Sequence, residues 1–270
     1  MQYQPSLPEH NDNVSHSRPL KEFLLLFSGI VGIFALIFLA LTSFVDWAVD
    51  YISPEDEAKI YAKMNYTWQD KTEIASEQQI MLQRIVDDLG HCAQIAYPIR
   101  VYLIESEDAN AMAFPGGHIV VLSGVLEKVK SENGLAFVLA HELSHFNNRD
   151  HLRALGGGIV IMALSVIFTG ANSDISQLLA PTSELGQAQH SQSAERKADK
   201  TALQILNCHY GHVGGASEFF ESLRNSNERF NFGALHYFSS HPELKARISD
   251  LNQVTKDMGF KVERVRNFGF

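Results

Sequence analysis

The sequence predicts an α+β fold, predominantly helical with a small β-sheet, behind one N-terminal transmembrane helix. Three observations predict it. Residues 23–45 form an uncharged run rich in Leu, Ile, Phe and Val. Residues 100–104 and 118–122 are short, apolar and β-branched, as strands are. Most of the remaining apolar residues recur at helical spacing, and one such segment carries His141-Glu142-Leu143-Ser144-His145.

Residues 1–22 are polar with Pro5, Pro8 and Pro19, and read as a disordered cytoplasmic tail. The 23 residues of the apolar run suffice to cross a hydrocarbon core of about 30 Å. A cleaved signal peptide would have a shorter core and a small-residue cleavage site. Arg18 and Lys21 precede the run, whereas Asp46, Asp50, Glu55, Asp56 and Glu57 follow it. By the positive-inside rule the chain is then single-pass in a bacterial inner membrane, with everything after residue 45 facing the periplasm.

Beyond the anchor, Ile74, Ile80, Met81, Ile85, Val86 and Leu89 fall on one helical face expected to be core. Pro115-Gly116-Gly117 is a turn before the second strand, and Ser131 is the expected N-cap of the His141 helix. Residues 154–171 are a second apolar run. One bilayer crossing there would divide His145 from any partner downstream, so the run is expected to stay on one side, as a buried helix or a membrane-dipping surface. Gly156-Gly157-Gly158 should weaken its start and permit a bend. Residues 172–193 read as a loop over the site, and helical spacing resumes from Ala216.

Composition narrows the function. With 45% hydrophobic residues the chain is of globular type, and a net charge of −9 excludes the basic face that nucleic acids require. Two cysteines, Cys92 and Cys208, are too few for a zinc ribbon or a disulfide framework. They are either one disulfide in an oxidising compartment or two buried thiols.

His141 and His145, four residues apart, project from the same side of a helix and can reach one ion. Glu142 then lies beside that ion, placed to take a proton from an attacking water. A hydrolytic zinc needs a third protein ligand, and Glu195 suits it best. Asp199, one turn on, is expected to accept the spare ring N–H of a ligand histidine. The competing reading of Glu195 and Asp199 is a solvated helix face beside Arg196 and Lys197. His118 should project from a strand near the cleft, while His151 and His190 read as surface histidines rather than ligands.

His141-Glu142-x-x-His145 followed by Glu195-x-x-Ala198-Asp199 resembles the gluzincin metallopeptidase family that includes HtpX, BepA and the CAAX prenyl endopeptidases. The resemblance covers residues 110–248. Residues 110–121 resemble the family's strand pair beside the active-site helix, and Ser240-His241-Pro242 with Arg247-Ile248 resembles its C-terminal His-Pro element. It implies a zincin-like peptidase domain over residues 52–270, one Zn2+ per chain, and an unfolded or extended polypeptide as substrate. By the same resemblance His241 lies near the metal, either as a catalytic donor to the developing oxyanion or as a brake against the ion, and the role is envelope protein quality control. Two features depart from the family: Gly134 replaces a frequent acidic residue, and a single span argues against prenylated peptides. The alternative is a catalytically silent or autoinhibited zinc-binding, chaperone-like membrane protein. Glu142 speaks against it, because a purely structural site has no use for a carboxylate there.

Overall fold

A computed structural model describes residues 18–62, 76–95, 97–169, 191–226, 241 and 244–265. The tail up to residue 17, Ile74, His190 and the loop expected up to residue 190 lie outside them. The chain divides into two units, Met1–Phe44 and Val45–Phe270.

The described part of the first unit belongs to helix α1, Pro19–Val49, which starts earlier and ends later than the apolar run. It is long and apolar enough to cross a membrane. Two of its hydroxyls are satisfied within the helix: Ser28 donates to Leu25 O and Thr42 to Phe38 O.

In the second unit the order is α2 (Pro54–Ala62), α3 (Glu77–Ala93), β1 (Arg100–Ile104), β2 (Ala111–Phe114), β3 (His118–Leu122), α4 (Gly124–Lys128), α5 (Glu132–Asn148), α6 (Asp150–Thr169), α7 (Gln192–Tyr210), α8 (Glu218–Ser226) and α9 (Leu244–Asp257). The sheet order is β1-β3-β2, with β1 parallel and β2 antiparallel to β3. Gly116 and Gly117 turn the chain at positive φ, and a Cβ on Gly117 would stand 2.7 Å from Pro98 O.

Helix α5 is the centre of the core: every residue from Asn133 to Phe146 is buried, against α7, α3 and β2. Such a helix has no solvent to satisfy its ends. Ser131 Oγ accepts from Gly134 N, as expected of the N-cap, and Glu218 on α8 accepts from Lys130 N. Glu218 Oε2 lies where a Cβ of residue 134 would stand, 2.6 Å away, so Gly134 makes room for an acid from another helix. At the other end Arg149 takes an αL conformation, φ 57, and turns the chain into α6. Helix α6 then runs unbroken through its three glycines; the expected bend falls at Arg149 instead.

Several expectations are corrected by packing. On α3 Ile80 is 52% exposed and Leu82 replaces it in the core. His118 is buried and stacks on Tyr61, ring centroids 3.8 Å apart, rather than facing the cleft. His151 is no surface residue: its Nε2 donates to Glu57 Oε1 (2.9 Å), and that oxygen also accepts from Gly116 N. The cysteines are joined, Cys92 on α3 to Cys208 on α7.

That bond closes a sequence separation of 116 residues. Replacing both cysteines by serine should lower the unfolding free energy by about 2–4 kcal/mol; denaturant curves that coincide would show the link idle. A second expectation concerns acid. Burial, helped by Arg100, holds the His118 pKa down to about 4 against the ordinary 6.5. The unfolded chain therefore takes up a proton that the folded chain refuses, so this contribution is complete above pH 6.5 and is lost as pH falls towards 4. His118→Phe, which keeps the stack on Tyr61, should flatten that part of the urea-midpoint profile.

Candidate metal centre

The site lies where α5 meets α7. His141 and His145 project from the same side of α5 and Glu195 from the first turn of α7, whose N-cap Ser191 accepts from Ala194 N. Four donor atoms, one each from His141, His145, Glu195 and His241, lie within 4.8 Å of one another, and all four residues are buried.

Hydrogen bonding at the far side of each ring decides what these nitrogens can do. His141 Nδ1 is 2.9 Å from Asp199 Oδ1, and His145 Nδ1 is 2.9 Å from Asp150 Oδ2. A carboxylate only accepts, so each Nδ1 carries the hydrogen and each neutral ring turns an Nε2 lone pair inward. The two Nε2 atoms are 3.1 Å apart, and Glu195 oxygens stand 3.4 Å and 3.5 Å from them. Donors bound tetrahedrally at about 2.0–2.1 Å stand about 3.3 Å apart. Two lone pairs at that distance repel each other unless a cation lies between them, and a divalent ion fits the donor set.

The charge around the site agrees. Glu142, Glu195, Asp199 and Asp150 contribute four carboxylates, and Arg247 contributes one guanidinium, with Nη1 2.9 Å from Glu195 and Nε 2.8 Å from Asp199. Burial alone would raise the Asp199 and Glu195 pKa values; instead Arg247 and His141 hold Asp199 low, and His241 and His141 hold Glu195 low. Burial and Arg247 work against a proton on His141, yet Glu195 and Asp199 push its pKa up to about 9. A cation at Nε2 competes with that proton for the same lone pair.

Glu142 is buried, its Oε2 without a hydrogen-bond partner among the described residues, and its Oε1 is 3.8 Å from His241 Nε2. A buried carboxylate oxygen left free beside a ring of metal donors is placed to accept a proton from water. His241 presents Nδ1 to both Glu195 oxygens (2.9 and 3.0 Å) and to His141 Nε2 (3.4 Å), which puts it in the donor set itself.

All six residues expected from the sequence thus meet: His141, Glu142, His145, Glu195, Asp199 and His241. Two contributors had no role assigned from sequence. Asp150 sits five residues past His145, off the helical repeat, and reaches it only because the chain turns at Arg149. Arg247 lay in a recognised motif, but its pairing with Glu195 and Asp199 depends on α9 packing on α7.

Comparison with known proteins gives a match to the profile of peptidase family M48 over residues 76–255. A protease HtpX homolog of Aquifex aeolicus is 26% identical, over 92% of this chain and 93% of its own length. The beta-barrel assembly-enhancing protease of Escherichia coli is 25% identical over 66% of this chain, and the mitochondrial metalloendopeptidase OMA1 of Schizosaccharomyces pombe 29% over 57%. The chain spans 40% and 45% of those two relatives.

The carboxylate behind His145 should matter to the metal more than to the fold. Asp150→Asn leaves a side chain of the same size that no longer selects the Nδ1–H tautomer. Metal affinity, measured by competition with a chromogenic chelator, should fall about 10–100-fold. Unchanged affinity would show that Asp150 does not set the tautomer of His145.

Proposed function

The chain belongs to peptidase family M48, and on that premise we propose that it is a membrane-anchored zinc endopeptidase whose catalytic domain faces the periplasm. The observation that carries the reading is the inward convergence of His141 Nε2, His145 Nε2 and Glu195 beside the free Oε2 of Glu142. His141, His145 and Glu195 hold the zinc. Zinc, when bound, supplies Lewis acidity to the peptide carbonyl and to the attacking water. Glu142 takes the water's proton and passes it to the leaving amine. Asp199 and Asp150 keep both imidazoles unprotonated at Nε2, Arg247 keeps Asp199 ionised, and His241 and His141 keep Glu195 ionised.

A polypeptide in extended form suits the sheet. Leu122 N donates to Asn110 O, so by alternation Ala113 turns its main-chain groups away from β3, towards the outer edge of the sheet, while Ala111 N is taken by Asn110 Oδ1. A substrate strand there would be bound through its backbone, which favours unfolded segments over any one side chain. The other edge is closed: Gln83 on α3 bonds Ile99 O and Val101 N of the β1 side.

Envelope protein quality control is the role proposed. An Escherichia coli relative bears a name that speaks of assembling β-barrels, the positive-inside bias exports the domain, and a disulfide between Cys92 and Cys208 suits an oxidising compartment. One observation favours a second state of the same enzyme. His241 adds a fourth protein donor, and a site with four is closed to substrate. His241 is accordingly proposed as a brake that must withdraw before hydrolysis.

Glu142→Gln should keep zinc and lose peptidase activity by about 10²–10⁴-fold. Wild-type turnover in that variant would remove Glu142 as the base. His241→Ala should raise basal cleavage of an unfolded polypeptide, whereas a fall would make the ring a catalytic donor. A periplasm-only reporter should be active when fused after Ser53 and after Phe270, and silence at both would reverse the orientation.

A further inference from the structure

Helix α6 is apolar on all sides beyond its first turn, and among the described residues much of its second half is uncovered. Its charged residues, Asp150 and Arg153, lie within its first four residues; the rest carries none. A helix hydrophobic all round is at home in a core or in lipid. Helix α5, by comparison, is buried from Asn133 to Phe146. On α6, by contrast, Ile159 is 50% exposed, Ile161 46%, Val166 37% and Ile167 74%. Of the two expectations for the second apolar run, these exposures favour the membrane-dipping surface over the buried helix.

The place where α6 begins identifies what covers it. A Cβ on Gly156 would lie 2.4 Å from Val45 Cγ1, so the missing side chain lets α6 press on the last residue of the uncharged run 23–45. One turn earlier Arg153 Nη2 lies 2.6 Å from Asp50 and Nε 3.8 Å from Asp46, the first acids after that run. The apolar part of α6 thus starts at the depth where the chain leaves the bilayer. It does not cross: His145 before it and Glu195 after it stand 3.5 Å apart, on one side.

We infer that α6 is a second membrane contact, dipping obliquely from the interface into the leaflet where α1 ends. Arg153 stays at headgroup level and Ile161, Val166 and Ile167 enter the acyl layer. At about 1.5 Å per residue its 20 residues reach well below the headgroups even when strongly tilted. Because α6 leaves directly from the end of α5, the catalytic helix is held beside the bilayer, and polypeptide lying on or emerging from the membrane becomes the accessible substrate. The inference rests on α1 being a span.

The native cysteines are bonded to each other, so a single added cysteine can carry a fluorophore alone. Four full-length variants, Ile161→Cys, Ile167→Cys, Leu36→Cys on α1 and Lys200→Cys on α7, would be labelled and placed in phosphatidylethanolamine–phosphatidylglycerol vesicles. The α6 sites and Leu36 are exposed, so these substitutions leave the core intact. Lipid bearing a doxyl quencher on its acyl chain should dim the labels at 161 and 167 as strongly as that at 36, while aqueous iodide should quench only that at 200. Quenching of the α6 labels by iodide would put the helix in water. Quenching by neither agent would show it covered by protein, a second copy or another part of the chain. Either result overturns the inference. Failure of the label at 36 to meet the lipid quencher would overturn the anchor with it.

Discussion

The structure depends on two imidazole lone pairs forced to within 3.1 Å of each other in a buried seam. Neither ring can turn away, because Asp199 and Asp150 each fix an Nδ1–H, and neither nitrogen can reach water. Left alone the arrangement is repulsive. It is stable only with a positive charge at the centre, whether a proton held on His141 or a metal ion shared by the donors. The burial of α5 from Asn133 to Phe146 keeps both rings in that seam.

Around that centre the charges are arranged so that no single carboxylate stands alone. Arg247 pairs with Glu195 and Asp199 and lies 4.3 Å over the Phe220 ring, which ties α9 to both α7 and α8. A buried guanidinium with two carboxylates compensates desolvation that none of them could bear unpaired. Glu142 is the exception: its Oε2 has no hydrogen-bond partner among the described residues.

The end of the anchor is built into the same network. Arg149 donates to the carbonyls of Val49 and Ile52, satisfying the last turn of α1 and the residues after it, and it does so from the position that turns α5 into α6. Glu57 on α2 joins the β2–β3 turn, through Gly116, to His151, whose other nitrogen lies 3.4 Å from His145 O. Burial raises the Glu57 pKa, but bonds from His151 and Gly116 outweigh it and keep the group ionised. The segment that follows α1 thus braces both α5 and the β2–β3 turn.

Much of this was legible in the sequence because it is local or periodic. Helix α5 with its Ser131 cap, the i, i+4 placement of His141 and His145, the strands over 100–104 and 118–122 and the apolar span all follow from spacing of a few residues. Glu195 was reached from the need for a third ligand, Asp199 from its i, i+4 spacing to Glu195, and His241 through a motif resemblance, none of which requires a distance. What the sequence could not decide is whatever depends on two distant segments choosing each other. The Cys92–Cys208 bond, Arg247 against Asp199, Glu218 above Gly134 and Glu57 with His151 join residues 48 to 116 positions apart. Whether the apolar run after His145 is core or surface was likewise undetermined, since hydrophobicity says only that water is avoided. Local spacing sets which face of a helix is apolar; only the packed chain decides whether other parts of the protein cover it.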